Sequence, residues 1–432
     1  MNPGMAAAHR NAFMEAMSGG AAVLATGGER VRNRDVHYPF RPDSDFWYLT
    51  AFPEADAVAV LRPDADSERF VLFVRPKDPL AETWTGRRAG IEGAREHYGA
   101  DAAYSIESLD TELPRLLRGV ARLYYSTGSN VDRDRKILGW MRSMYTQTRD
   151  GVTGPVEVVE PGTLLHELRL RKSDDELALM RRAAEITDTA HRAAMAGLHE
   201  GMHEYEIEAL VNATFRSAGG WGPGYPSICA AGNNATVLHY TTNAEVVAQG
   251  DLMLLDAGCE VEGYTADVTR CFPASGKFTD AQREMYEVVL AAQLAGCEQS
   301  APGNAFHSVH DVTTRTLIAG MIDIGMLTGG VDEAMESESY KRWYMHRSGH
   351  WLGLDVHDVG SYYSNGDSRP LEPGMVLTVE PGIYVSADDA QAPERFRGLG
   401  IRIEDDILVT ADGHENLTAA IPKTVDDVEA TR

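Results

Sequence analysis

The chain has 432 residues, 43% hydrophobic and 24% charged, the balance of an ordinary folded protein with room for two domains. A net charge of −25 argues against a nucleic-acid or anionic-membrane partner, because phosphates would be repelled. No stretch approaches the roughly 18 apolar residues of a membrane span, and His9, Arg10 and Glu15 interrupt the N-terminal run, so neither a span nor a signal-peptide core is expected. The four cysteines (Cys229, Cys259, Cys271, Cys297) form no CxxC pair, so free thiols and a cytoplasmic setting are expected. Any metal must then be held mainly by oxygen and imidazole.

In chain order, "AAVLATGG", "ADAVAVLRPD" and "RFVLFVRP" read as strands, the last two forming a hairpin. "ESLDTELPRLLRG" and "RDRKILGWMRSMY" read as helices, so the first part alternates strand and helix as a small α/β domain. Ser173 and Glu176 then form a capping box, with Leu177, Met180 and Ala184 following at helical spacing. A second domain is therefore expected to begin at 173, giving 1–172 and 173–432. A further helix, "HEYEIEALVNATFRSAGG", sets Ile207, Leu210, Val211 and Phe215 on one face and ends in two glycines. Beyond residue 225 the chain turns strand-rich, with helices around 280–298 and 307–326, which predicts an α+β second domain of largely antiparallel strands.

The stretch "LLDAGCEVEGYTADVTR" sets two acids where a core should lie. It reads as strands 252–261 and 264–272 around the link Glu262-Gly263. That turn puts Val261 opposite Tyr264, Asp256 opposite Thr269 and Gly258 opposite Asp267. Asp256 and Asp267 become diagonal neighbours, roughly 7–8 Å apart. Two such carboxylates repel unless the face is solvated or a cation lies between them.

Three further segments repeat the pattern. "PGMVLTVEPGIYV" stops a buried-type strand on Glu380, and "GIRIEDDILVT" sets Arg402 and Glu404 among isoleucines. Asp405 and Asp406 beside them read as plain solvent-facing charge. "MHRSGHWLGLDVHDVG" supplies His346, His350 and His357. Singly, a residue in such a setting is more often a satisfied core or edge residue than a ligand. Together, Asp256, Asp267, Glu380 and Glu404 carry charge that two divalent ions would neutralise, with His350 as a nitrogen ligand. Such a set is hard and favours manganese, cobalt or magnesium-like ions over thiolate-bound zinc. Two ions about 3.5–4 Å apart can share carboxylates and acidify a bridging water.

"LHYTTN", the hairpin stretch, "HWLGLDVHDVG", "GMVLTVEPGIY" and "GIRIEDDILVT" together resemble the pita-bread metallopeptidases, closest to their bacterial aminopeptidase P branch. "YPFRPDSDFWYLTAF" and "AETWTGRRAG" resemble that branch's N-terminal domain. The resemblance implies a pita-bread catalytic domain behind a smaller α/β domain. Its implied activity is release of the residue preceding a proline in second position. Asp256, Asp267, His350, Glu380 and Glu404 match the family's metal ligands, usually of two manganese ions, with cobalt or zinc as alternatives. Asp267 and Glu404 would bridge the ions, and Glu380 would also handle the attacking water's proton. His239 and His357 match the histidines that bind substrate and stabilise the transition state. His346, Tyr384 and Arg402 match the surrounding proline-side pocket.

Trp84 of "AETWTGRRAG" matches a tryptophan that reaches a neighbouring subunit in relatives, implying a homo-oligomer, dimer or tetramer; read on its own, it equally caps its own domain's core. One departure is visible: in "HRSGH", Arg347 and Ser348 replace small and apolar residues. Rival readings are a prolidase, with the same chemistry on dipeptides only, and a non-catalytic pita-bread module, which the intact ligand positions disfavour. A methionine aminopeptidase is disfavoured by the first domain, and a creatinase-like hydrolase because it needs no metal cage.

Overall fold

The apolar runs Ala21–Ala25, Val58–Leu61 and Phe70–Val74 pair as the middle of a six-stranded sheet in the first part of the chain. The last two form the expected antiparallel hairpin, Val58 opposite Phe73 and Leu61 opposite Phe70. Nearly all their side chains are buried on both faces, so the pattern is continuous rather than alternating. Three short strands, Ala102–Ser105, Arg122–Tyr124 and Glu157–Val159, extend the sheet in parallel. The expected helices are Leu109–Leu116 and Val131–Thr146. A further one, Pro3–Ala16, starts where Asn2 caps the Met5 N–H.

This computed structural model describes residues 1–431, and the chain divides into two compact units, Met1–Leu168 and the remainder from Arg169. The junction falls inside the helix Gly162–Leu170, ahead of the Ser173 cap. Arg169 and Lys172 belong with the second unit because both are buried and pair with Asp358, at 2.5 and 3.0 Å.

The second unit opens with the helix Asp174–Gly197. Its capping box is complete: the Ser173 N–H donates to Glu176, and the Glu176 N–H donates back to Ser173 Oγ. Leu177, Met180 and Ala184 turn inward, as do Ile207, Val211 and Phe215 of the helix Glu204–Ser217. Helices Asp280–Gln299 and Phe306–Asp323 contribute to a second core region. The strands among these helices pair antiparallel throughout. The fold of this unit is α+β.

The hairpin at the centre keeps its expected register, with Asp256 opposite Thr269 and Val261 opposite Tyr264. Its turn is of the primed kind, Glu262 at φ 50° and Gly263 at φ 96°. The two strands are not continuous as the sequence suggests. The ribbon divides into Leu252–Asp256 with Thr269–Pro273 and Cys259–Val261 with Tyr264–Thr265, and each half joins a different sheet. Gly258 sits at the division, where a Cβ would lie 1.7 Å from the Ala266 carbonyl oxygen. Only glycine lets the ribbon bend there, and the bend frees Asp267 from the ladder. The four cysteines are free and buried, all in this unit.

Candidate metal centre

Each acid sits where a strand ends or breaks. Asp256 closes Leu252–Asp256, and Asp267 occupies the bend. Glu380 follows Val376–Val379 and stops at Pro381, while Glu404 links Leu399–Arg402 to Asp405–Val409. His350 lies beside Trp351, which bridges to Leu377. Their side chains line one cavity of about 620 Å³ with His239, His346, His357 and Arg402.

The tightest group is Asp267, His350 and Glu404, each offering a ligand atom within 4.8 Å of the others. His350 Nε2 stands 3.3 Å from Asp267 and 3.7 Å from Glu380. Its Nδ1 lies 2.9 Å from the Trp351 carbonyl. A carbonyl only accepts, so Nδ1 carries a proton and Nε2 is the nitrogen turned toward the acids, the orientation that metal ligation requires. Asp256 stands on the cavity wall outside the tightest group, held by the Arg402 guanidinium at 2.6 Å and the Tyr225 hydroxyl at 2.7 Å.

The electrostatics fit a cation. Burial pushes the Asp256, Glu380 and Glu404 carboxyls above their usual range, Glu380 to about 7, and mutual repulsion adds to it. Arg402 answers only part of that charge. Burial alone would lower His350, but Asp267 and Glu380 push it up to about 9. With only protons to draw on, the acids recruit one onto His350; a divalent cation among the same atoms does that work with the ring neutral. The donor set of carboxylates and one imidazole therefore suits hard divalent ions.

A chain of hydrogen bonds backs the acids. Arg402 donates to Asp256, to Thr269 Oγ1 at 3.0 Å and to the Tyr384 hydroxyl at 3.1 Å. Thr269 in turn donates to Glu404 at 2.6 Å. Tyr384 meets His346 Nε2 at 2.8 Å, and His346 Nδ1 meets the Arg347 carbonyl at 2.7 Å. The carbonyl fixes the proton on Nδ1, so Tyr384 donates to Nε2. Burial holds His346 neutral, its pKa lowered to about 4. Tyr384 stands behind His346 instead of lining the cavity, while His239 and His357 are exposed on the wall. Trp84 lies in the first unit, on the helix Pro79–Thr85, 88% exposed.

Asp405 and Asp406 do not face solvent; both are buried. Asp405 pairs with Arg270 and Lys423, each at 2.6 Å, and accepts from Gln293, Asn416 and Thr418. Asp406 accepts the Asp267 N–H at 3.2 Å and so braces the bend from below. The run "EDD" gives no sign of this; the one clue is Arg270, a cation in an otherwise apolar strand. Tyr225 gives no sign of its role in the sequence, and Ser348 shows there only as a departure from the family pattern. Ser348 is buried, bonded to His310 Nδ1 at 2.9 Å and to the Tyr344 hydroxyl, while its carbonyl accepts the Glu380 N–H at 2.8 Å.

Residues 178–411 match the model of metallopeptidase family M24, and residues 6–124 match that of the aminopeptidase P N-terminal domain. The chain is 43% identical to the Xaa-Pro aminopeptidase of Escherichia coli strain K12, over 98% of this chain and 96% of that one. The solved structure of Pseudomonas aeruginosa aminopeptidase PepP superposes with a TM-score of 0.98 at 46% identity, covering 100% of this chain and 98% of that one. An E. coli aminopeptidase P variant in complex with substrate superposes with a TM-score of 0.95 at 41% identity, covering 100% and 98% respectively. With the family's catalytic model spanning the acids and histidines of this cavity, the chain belongs to metallopeptidase family M24.

Proposed function

We propose that the protein is a Xaa-Pro aminopeptidase, hydrolysing the bond before a proline in second position with two divalent cations, manganese foremost. The observation that carries this reading is one cavity holding Asp267, His350 and Glu404 within ligand range, with Glu380 and two exposed imidazoles beside them. The relatives named above support the substrate class. Asp256, Asp267, His350, Glu380 and Glu404 would hold the ions. Bound there, divalent cations supply Lewis acidity, polarising the scissile carbonyl and making water acidic enough to attack at neutral pH.

The chain's own residues do the rest. Glu380 takes the proton of the attacking water and delivers it toward the proline nitrogen. His357 and His239, on the open wall, donate to the carbonyl oxygen as it gains charge. His346, kept neutral and oriented by Tyr384, borders the proline side. The reading extends to a cytoplasmic homo-oligomer, dimer or tetramer. Free thiols suit the compartment, and the exposed Trp84 and Leu80 suit a subunit contact.

Two variants test the assignment. Asp267→Ala should abolish both metal content and turnover. His357→Ala should keep its metal and lose kcat by about 10²–10³-fold. A metal-free His357 variant, or an active Asp267 variant, sinks it.

A further inference from the structure

Arg347 occupies an unusual position on the cavity wall. It follows His346 directly, is exposed and lines the cavity. Among the described residues its guanidinium forms no hydrogen bond or ion pair. The other arginine of the wall, Arg402, is fully engaged by Asp256, Tyr384 and Thr269. Among the described residues Arg347 is thus the one uncommitted arginine lining the cavity. Arg369, the alternative source of positive charge in this region, is buried, pairs with Glu372 at 3.8 Å and does not line the cavity.

Its backbone is clamped on both sides. The Arg347 carbonyl accepts from His346 Nδ1, and the next N–H, that of Ser348, donates to His310 Nδ1 at 3.2 Å. Ser348 is locked below by His310 and Tyr344. Tyr362, also on the wall, is stacked on Trp351 at 5.4 Å and 6° and accepts the Trp351 N–H at 3.1 Å. The main chain is therefore fixed while the guanidinium stays free, an arrangement in which binding sacrifices little order. An arginine fork is matched to a carboxylate, and a peptide residue spans about 3.5 Å. A carboxylate one or two residues beyond the cleaved bond lies within roughly 3.5–7 Å of it along an extended peptide, and Arg347 lines the same cavity as the acids of the centre.

We propose that Arg347 is a specificity-determining residue that binds a carboxylate on the leaving peptide. This rests on the aminopeptidase reading above and names the substrates it favours. Two sources carry that group: the terminal carboxylate of a short peptide, or an acidic side chain just after the proline. Either draws the substrate in through KM, since the contact is made equally before and during bond cleavage.

The test uses the manganese-loaded enzyme and paired substrates. One arm compares Xaa-Pro-Leu with its amide; the other compares amidated Xaa-Pro-Asp-Leu with amidated Xaa-Pro-Asn-Leu. At least one carboxylate member should show kcat/KM about 10- to 100-fold above its neutral partner, mainly through KM. Arg347→Ala should erase that ratio, and Arg347→Lys should restore part of it. Calorimetry with the product-like Pro-Leu and its amide gives a readout independent of turnover, and the same variant should erase the difference in Kd. The arm that responds identifies the source. Equal rates within both pairs, or a ratio that survives Arg347→Ala, overturn the proposal. An enzyme that cleaves no Xaa-Pro peptide at all fails the underlying reading instead.

Discussion

A buried aspartate persists only where its charge is answered, and Asp405 has two cations, Arg270 and Lys423, at 2.6 Å. Burial raises its carboxyl, but those two cations outweigh burial and hold it at about 2. Removing the acid strands Arg270, which is itself fully buried. Asp405→Asn should therefore cost about 3–5 kcal/mol, read from the urea midpoint; a loss below 1 kcal/mol would show that the network is dispensable. His191 is the opposite case. It is fully buried, donates from Nε2 to the Ala257 carbonyl at 2.9 Å, and its Nδ1 has no partner among the described residues. Burial lowers its pKa to about 3. Between pH 3 and the usual 6.5 the unfolded chain binds the proton and the folded one does not, so stability is lost as pH drops from 6.5 toward 3. The fall should reach roughly 2 kcal/mol by pH 5. Urea titrations at pH 7 and pH 5 should show a shallower change in His191→Gln than in the parent; equal slopes would remove His191 from the account. Neither residue is evident in the sequence. Asp256, Asp267, Glu380 and Glu404 stand out because each interrupts an apolar strand. Asp405 hides in an acidic run, and its partner Arg270 lies 135 positions away.

The hairpin Leu252–Pro273 shows what local pattern conveys and what it omits. Its turn and register follow from Glu262-Gly263 and the apolar alternation, and both are present in the fold. The transfer from one sheet to another at Gly258 is not encoded in alternation, because "DAGCE" reads as strand wherever its partner goes. The same applies to Ala102–Ser105, Arg122–Tyr124 and Glu157–Val159, which are too short to show a period. Capped helices are the easy elements, since Ser173 and Glu176 announce their own geometry. Gly258→Ala tests the bend. Its added methyl meets backbone rather than a movable side chain, so the ribbon must straighten and carry Asp267 away from Glu404. We expect a loss of at least about 3 kcal/mol and of metal-binding capacity together. A variant that keeps its metal and its midpoint would show that the bend is not what positions Asp267.

At the scale of the molecule, the two units carry different kinds of information. The second holds the catalytic cavity, and the first exposes Trp84 and Leu80. If Trp84 completes a neighbouring subunit's site, Trp84→Ala should raise KM for longer peptides and leave the metal content alone. Unchanged kinetics together with a monomeric mass by light scattering would reject the contact. The cysteines divide just as unevenly: the first unit has none, and the second has four. Burial raises the thiols of Cys259, Cys271 and Cys297 to about 12 and pushes that of Cys229 well up too. A thiol that is both enclosed and protonated is inert to alkylation until its surroundings come apart. Iodoacetamide uptake therefore acts as a clock for one unit alone. It counts each opening of the catalytic body, stays silent about the other, and should run faster with a chelator present if divalent ions hold the four repelling acids together.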